Sequence, residues 1–385
     1  MLPDDLWPVS VNDHVVEPGD LWTKRVAAKF RDGAPHVVQG KTGACAWRFG
    51  DVEMEFVGLD QNDKWGPIRR LEDLAASNFE TQARIEAMDR DKVAVHTIMP
   101  HACNFAGQFL SRCGDQALWA ECVRAYNDFV LEEFCAPAPD RLVGVSLLPL
   151  ADADLSIKEI ERTAKLGSRA ISLPCNPVGL GLPSYNHSSW VRVLDAADAN
   201  RLAILVHISV DGPISLEFDP AKPSYRPYQY LVAMANLTAL DAACQLIFTP
   251  LLVERPERRI ALLEANVGWI PYLEERLDYA LGREMPFDER RGFVYENAPP
   301  SEGRRASDVA RQLMAAFISD PVGIKARHEI GIDRFLWMSD FPHTDSMWPN
   351  SRESLQIQLA DVPESEVRQM LDTNARTLLG LPEKG

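Results

Sequence analysis

The chain carries, from Phe335 to Pro349, the stretch FLWMSDFPHTDSMWP, an apolar run with a polar end. The apolar part is typical of a buried strand, and Ser339, Asp340 and His343 follow where it ends. In a barrel of parallel strands the carboxyl ends share one mouth, so a carboxylate and an imidazole there predict a chemical role. The alternative is that Asp340 caps a turn and His343 is an ordinary loop residue. Polar residues at other strand ends would favour the first interpretation.

Length and charge narrow the class of protein. The chain has 385 residues, 46% hydrophobic and 25% charged, which is typical of a globular protein and fits one barrel domain with insertions. It has no apolar run near the ~18 residues that a membrane helix needs. Forty basic and 56 acidic side chains give a formal net charge of −16, which argues against nucleic acid as a partner. A small-molecule substrate, including a small anion, is compatible with this charge.

The cysteines and the first residues predict a reducing compartment. Seven cysteines at irregular spacings cannot all pair, and without a CxxC motif a structural zinc site is not expected. The first residues lack the basic stretch followed by an apolar stretch that marks a secretory signal. We therefore expect a cytoplasmic protein.

Short apolar runs alternate with helical segments along most of the chain. Such alternation predicts parallel strands, and eight units predict closure into a (β/α)8 TIM barrel of the α/β class. An open, doubly wound sheet is the alternative fold. The predicted strands are residues 7–12, 93–100, 142–148, 169–173, 202–207, 259–264, 315–319 and 334–339.

Two segments interrupt this alternation, and we expect them to be insertions in a single domain that spans residues 1–385. Residues 33–58 alternate short β-type runs with glycines, which predicts a small β-hairpin over the barrel mouth. Residues 283–313 are charged and contain prolines, which predicts a helical or loop insertion before the seventh strand.

Residue types that bind metal ions recur at the ends of the predicted strands. His207 ends the apolar run AILV and Glu264 ends IALL, where an imidazole or a carboxylate without a partner would be costly. Imidazole and carboxylate groups suit zinc, iron or manganese, and a divalent ion would neutralise carboxylates that share one mouth. For each residue alone, burial beside a hydrogen-bond partner is the alternative. The candidates are Asn12, His14 and Glu17 after the first strand, His101 after the second, His207 on the fifth, Glu264 on the sixth, and Asp340 and His343 on the eighth.

Other catalytic signatures are missing from the sequence. It has neither a GxSxG nucleophile elbow nor a GxxxxGK[ST] phosphate loop. His101 and Cys103 lie two residues apart, but this spacing alone gives no reason for their side chains to face each other.

Six motifs distributed along the chain are NDHVVEP (12–18), NDFVLEEFCAPAPDRLVGVSLLPL (127–150), ILVHISV (204–210), LLEANVGWIPYLEERLD (262–278), SDFPHTDSMWP (339–349) and NARTLLGL (374–381). Together they resemble an amidohydrolase-related family that includes aminocarboxymuconate semialdehyde decarboxylase and several aromatic acid decarboxylases. The resemblance implies a (β/α)8 barrel with a divalent metal ion. It implies an acid-x-His or His-x-His pair after the first strand, which falls on Asn12 and His14. It also implies a histidine on the fifth strand and an aspartate on the eighth, which fall on His207 and Asp340.

Two residues depart from the pattern of this family. Asn12 stands where the family has His, Asp or Glu, and its amide oxygen can bind a metal ion but brings no negative charge. Glu264 stands where the decarboxylases carry a histidine, and a carboxylate there could be a general base or a further ligand. We expect one or two ions per subunit. Charge balance favours two, with Glu264 and Glu17 adding carboxylates and His343 an imidazole.

These residues favour metal-assisted hydrolysis of an amide, ester, lactone or thioester of a small organic acid. A divalent ion lowers the pKa of water from about 15.7 toward ~7. His14 and His207 would be neutral ligands, His207 also counting among the catalytic residues, and Asp340 or Glu264 would take up and return the proton. The alternative is non-oxidative decarboxylation of an aromatic or unsaturated carboxylic acid. A second alternative is an inactive, metal-poor homologue that acts as a binding protein.

The resemblance and the apolar helical segment 228–252 together predict a homodimer, with this helix or the hairpin insertion in the interface.

Overall fold

Eight parallel strands form one sheet in which each strand pairs with the next one along the chain. This computed structural model describes residues 2–104, 106–112, 114–208, 227–281, 283 and 305–383. Every residue of the eight strands is buried. The predicted (β/α)8 TIM barrel is therefore confirmed. The strands are β1 (Val9–Val15), β2 (Val95–Pro100), β3 (Leu142–Ser146), β4 (Ala170–Pro174), β5 (Ala203–His207), β6 (Ile260–Leu263), β7 (Leu313–Phe317) and β8 (Phe335–Trp337).

The ends of β1 and β8 meet and nearly close the barrel. The main-chain N–H of Asp340 donates to the carbonyl of Asn12 over 2.9 Å, and the N–H of His14 donates to the carbonyl of Phe341 over 2.6 Å. Both bonds lie just beyond the last residue of β8, so they tie the chain that leaves this strand to the carboxyl half of β1.

Helices cover the outside of the barrel. Aspartate side chains at Asp115, Asp152 and Asp320 accept hydrogen bonds from N–H groups of the first helical turn, which explains where three of these helices begin. Within the described ranges, no helix is long and apolar enough to cross a membrane. The α-helices that precede strands or follow β8 are Thr81–Asp91, Gln108–Ser111, Gln116–Asp128, Ala153–Lys165, Ser188–Ala199, Pro227–Ile247, Pro250–Val253, Ile270–Leu281, Ala306–Ala310, Pro321–Lys325, Arg327–Ile330, Ser351–Gln358, Glu364–Arg368 and Asn374–Leu379.

The segment between β1 and β2 contains more structure than the predicted hairpin. A short helix, Leu21–Arg25, comes first, and three antiparallel strands follow within residues 33–58. A two-stranded ribbon then pairs Val57–Leu59 with Trp65–Pro67. The three antiparallel strands are His36–Gln39, Cys45–Phe49 and Val52–Glu55. Of the second predicted insertion, residues 284–304 lie outside the described part of the chain.

Three strand boundaries differ from their predicted positions in ways that matter for the site. β1 extends to Val15, so His14 lies within the strand rather than after it. β6 ends at Leu263, and Glu264 has a left-handed backbone with φ 56°. β8 ends at Trp337, and Asp340 is likewise left-handed with φ 56°. Both acids therefore lie where the chain turns away from the sheet.

Glu17 links the loop after β1 to the loop after β2. Its buried carboxyl group accepts hydrogen bonds from the main-chain N–H groups of His101, Ala102 and Cys103, at 3.2, 2.7 and 3.3 Å. Burial raises the pKa of Glu17 to about 7, although the bonds from Ala102 and Cys103 oppose this shift. A side chain predicted as a metal ligand thus has a structural task in joining two loops.

We expect Ser10→Ala to weaken the closure of the barrel. The hydroxyl of Ser10 accepts the main-chain N–H of Ser339 over 2.8 Å in a fully buried position. Because the variant leaves a buried donor without this acceptor, the free energy of unfolding should fall by about 1–3 kcal/mol. Urea denaturation measures it, and Ser365→Ala, at an exposed serine in Glu364–Arg368, is the control that should change by less than ~0.5 kcal/mol. Equal stability of both variants would contradict the role of this bond.

Glu17→Gln should change how stability depends on pH. The folded protein binds the Glu17 proton more tightly than the unfolded chain, whose pKa is near 4.5. This contribution to stability is fully present below pH 4.5 and is lost as the pH rises through 7. Relative to Glu17→Gln, which cannot ionise, the wild type should lose about 3 kcal/mol of unfolding free energy between about pH 4 and about pH 9. A constant difference across this range, measured by urea denaturation, would contradict the raised pKa.

Candidate metal centre

Three side chains from β1 and the loop after β8 meet at the carboxyl end of the barrel. His14, Asp340 and His343 each offer one possible ligand atom, and these atoms all lie within 4.8 Å of one another. Nε2 of His14 and Nδ1 of His343 each lie 3.1 Å from Oδ1 of Asp340. The two imidazole rings stack with centroids 3.9 Å apart. An imidazole pair with a carboxylate is a donor set that could hold a divalent ion.

Strand alternation delivers these groups to the mouth. Leu205 and Met338 belong to a cluster of buried apolar side chains to which every strand of the barrel contributes. Two residues further along comes His207, which alternation therefore places on the same face of β5, whereas Asp340 lies beyond β8 on the turn that leaves the sheet. The apolar lining of the barrel thus gives way to polar side chains at its carboxyl end.

His207 and Glu264 form a pair of possible ligands next to His14. Nε2 of His207 is 3.3 Å from Oε2 of Glu264, and the ring centroid of His207 is 5.7 Å from that of His14. His207 is completely buried, and 15% of the Glu264 side chain is exposed. The left-handed backbone of Glu264, rare for a residue of this type, is strain of the kind that clusters at functional sites.

The hydrogen bonds of His14 and His207 decide which ring nitrogen faces the carboxylates. Nδ1 of His14 lies 2.9 Å from the carbonyl of Pro100, and Nδ1 of His207 lies 2.8 Å from the carbonyl of Ile208. In a neutral ring the Nδ1 hydrogen belongs to that carbonyl, so the Nε2 lone pair points toward a carboxylate oxygen. Two acceptor atoms that face each other at 3.1 and 3.3 Å need a cation or a proton between them.

Burial and neighbouring charges favour neutral imidazoles in both positions. Burial, then the charge of His343, lowers the pKa of His14 to about 4. Burial, then the charge of His14, lowers the pKa of His207 to about 3. For Asp340, burial acts to raise the pKa, but the His343 charge and the hydrogen bonds with His14 and His343 bring it below its ordinary value. Burial, together with the charges of nearby carboxylates, raises the pKa of Glu264 well above its ordinary value.

Asn12 lies beside this group and contacts it through its amide nitrogen. Its Nδ2 donates to Oδ1 of Asp340 over 3.4 Å. No donor among the described residues reaches Oδ1 of Asn12 or Oδ2 of Asp340, and both side chains are completely buried. Buried oxygens without a donor are costly unless a cation or water satisfies them, so these residues fit a divalent ion.

His101 joins the site, whereas Glu17 does not. Nδ1 of His101 lies 3.0 Å from Nε2 of His343, which extends the group to the loop after β2. The Glu17 carboxyl group is held by main-chain N–H groups, and the structure does not bring it together with the candidate ligands. Cys103 is buried, and burial raises the pKa of its thiol well above the ordinary value, so a reactive dyad with His101 has no support.

Two residues near the site were missed by the sequence analysis. Trp65 packs edge-on against His343, with ring centroids 5.2 Å apart, and comes from the ribbon beyond the predicted hairpin. Arg84, completely buried in Thr81–Asp91, donates to the carbonyl of His14 over 2.7 Å. An arginine on the buried face of a helix is a signal that could have identified Arg84, but no sequence pattern marks Trp65.

The chain shares its fold with several solved structures. It resembles an amidohydrolase of Mycobacterium avium subsp. paratuberculosis K-10, with 19% sequence identity, a TM-score of 0.75 and 99% coverage of both chains. The 5-carboxyvanillate decarboxylase of Sphingomonas paucimobilis is 19% identical, with a TM-score of 0.65 and coverage of 98% of this chain and 100% of that chain. The dihydroxybenzoic acid decarboxylase of Polaromonas sp. JS666, with bound manganese and 2-nitroresorcinol, is 17% identical, with a TM-score of 0.62 and 98% coverage of both chains. At these identities the likeness demonstrates the fold alone.

No curated protein matches this sequence. A sequence model of the family described as amidohydrolase, in contrast, matches residues 35–381. Because this match spans most of the chain, the protein belongs to the amidohydrolase family.

Proposed function

We propose that this protein is a metal-dependent, non-oxidative decarboxylase of an aromatic or unsaturated carboxylic acid. The observation that carries the proposal is the meeting of His14, Asp340 and His343 at the barrel mouth, where their possible ligand atoms all lie within 4.8 Å of one another and next to the pair of His207 and Glu264. His14, His207 and Asp340 would hold the ion, with the side chain of Asn12 beside them. When bound, the ion would supply Lewis acidity toward the carboxylate and a neighbouring oxygen of the substrate.

The side chains of the site would orient the substrate and deliver one proton. The bond between the substrate carbon and its carboxylate breaks, CO₂ leaves, and the electron pair stays on the carbon. Glu264, whose burial favours its protonated form, would donate the proton to this carbon and regain one from water. The Glu264 carboxyl group lies 3.3 Å from Nε2 of His207, so it would be next to the ion that His207 helps to hold.

Decarboxylation has better support than the hydrolysis that the sequence analysis favours. Solved structures similar to this chain include 5-carboxyvanillate and 2,6-dihydroxybenzoate decarboxylases, which the chain matches over 97–98% of its length. The substrate is accordingly expected to be a small aromatic acid.

The identity of the metal, the number of ions per subunit and the oligomeric state remain predictions. Zinc, iron and manganese all suit the donor set, and manganese is favoured because two similar decarboxylases contain it. The group of His14, Asp340 and His343 and the pair of His207 and Glu264 are adjacent, which is compatible with a second ion. A homodimer, with the helix Pro227–Ile247 or the hairpin insertion in its interface, and a cytoplasmic location are likewise predictions.

Removing a proposed ligand should remove the ion. We expect His14→Ala and Asp340→Asn, each reconstituted with Mn²⁺, to lower metal affinity by at least tenfold, since even residues that only support a ligand typically contribute 10–100-fold. Elemental analysis of equilibrium-dialysed protein measures this, and His328→Ala, at a histidine exposed on the outside of the barrel, is the matched control. Metal content equal to that of wild type in both ligand variants would contradict the proposed site.

The products distinguish decarboxylation from hydrolysis, and Glu264→Gln tests the proton donor. For decarboxylation we expect CO₂ release from hydroxybenzoates such as 2,6-dihydroxybenzoate, uptake of one solvent deuteron on the product carbon, and a kcat at least ~100-fold lower in the variant with its metal retained. Glu275→Gln, a glutamate of the helix Ile270–Leu281, is the control and should leave kcat unchanged. Incorporation of ¹⁸O from water into a carboxylate product would identify a hydrolase instead. A fall from two ions to one in the variant would make Glu264 a ligand of a second ion.

A further inference from the structure

A cavity of about 290 Å³ lies on the side of His343 that faces the insertion after β1. This volume is close to the lower end of the ~300–1,000 Å³ range of small-molecule sites. His343 belongs both to this cavity and to the candidate metal centre, so a molecule bound in the cavity would lie next to that centre. The side chains that matter for its chemistry are Asp63, Trp65, Arg90, His343 and Trp348.

Two tryptophans give the cavity aromatic walls. Trp65 stands edge-on to His343, and Trp348 stands edge-on to Phe341 with ring centroids 5.1 Å apart. The indole N–H of Trp348 donates to the carbonyl of Ala87 over 3.1 Å, which fixes the orientation of this ring. Aromatic side chains with fixed orientations favour a flat aromatic ligand.

Arg90 supplies the positive charge of the cavity. Its guanidinium group lies over the ring of Trp348, 4.9 Å from the centroid, and its Nη1 donates to Asp63 over 3.1 Å. A guanidinium has five N–H donors, and in the described part of the chain Asp63 is the acceptor that Arg90 uses. The side chain of Arg90 is 57% exposed and that of Asp63 is 44% exposed, so an anion can reach this pair from the cavity.

We propose that this cavity binds an aromatic ring that carries a negatively charged group, with the ring against Trp65 and Trp348 and the anion on Arg90. In a protein with a formal net charge of −16, such an anion needs a local cation, and the stacked arginine provides a planar pair of donors for it. This ligand would be part of the substrate, which would then carry an acidic group besides the reacting carboxylate. This assignment rests on the proposed decarboxylation. Arg90 and Trp65 would then determine specificity without taking part in the reaction.

Benzenesulfonate and its neutral analogue methyl phenyl sulfone test the cavity, because the sulfonate is a weak metal ligand but pairs with arginine. Titrations of the Mn²⁺-loaded protein, followed by tryptophan fluorescence and calorimetry, give both dissociation constants. We expect benzenesulfonate to bind at least fivefold more tightly than the sulfone, and Arg90→Gln to abolish this difference. Arg70→Gln is the matched control, since Arg70 is an exposed arginine paired with an aspartate but does not line the cavity.

A second variant keeps the proposal testable if Arg90→Gln folds poorly. Asp63→Asn removes the negative charge that competes for Arg90, so benzenesulfonate should bind more tightly, whereas a salt bridge of purely structural importance would give no gain. Equal affinities for the two probes in the wild type, or an unchanged benzenesulfonate affinity in folded Arg90→Gln and Asp63→Asn, would overturn the proposal.

The proposed ligand of the cavity and the proposed decarboxylation can be contradicted independently of each other. Binding that depends on Arg90 in a protein that releases no CO₂ from aromatic acids would support the cavity and contradict the reaction. Release of CO₂ with unchanged probe affinities in both variants would contradict the cavity alone.

Discussion

The contact between the end of β1 and the residues after β8 determines both the barrel and the candidate site. The hydrogen bonds that join Asn12 to Asp340 and His14 to Phe341 close the sheet and, by the same geometry, bring the His14 imidazole to the Asp340 carboxylate. Arg84 reinforces the contact, because it donates to the carbonyl of His14 and stacks over the ring of Phe341 at 4.5 Å. A change that separates these two ends would therefore disturb fold and chemistry together.

This arrangement concentrates polar groups where burial is most costly. The imidazoles of His14 and His207 and the carboxylate of Asp340 are completely buried, and acceptor atoms face each other across the mouth. Such a site is unfavourable without a cation and favourable with one, so an ion that binds the folded chain would also stabilise it. The free energy of folding and the affinity for the ion are then two measures of the same geometry.

Local sequence patterns predict the barrel and much of the site. His207 can be found because it ends an apolar run, where alternation turns a polar side chain toward the mouth, and Asp340 because it follows another apolar run. Glu17 has the same local appearance, but its partners are main-chain N–H groups more than 80 residues away, which no short-range pattern reveals. Trp65 is equally hidden, because it reaches His343 only through the fold of the insertion. Residues are thus predictable when a strand directs them and unpredictable when a distant loop does.

The closure between the first and the last strand also has a consequence for the synthesis of the protein. Asn12 and Asp340 are 328 residues apart in sequence, so the site cannot assemble until the ribosome has released nearly the whole barrel. Bringing together ends this far apart costs on the order of 5 kcal/mol of chain entropy, which contacts near the seam must offset. Until then, β1 and the growing sheet have open edges, and such edges favour pairing with other chains. Chemical activity would consequently be a late event that reports complete synthesis.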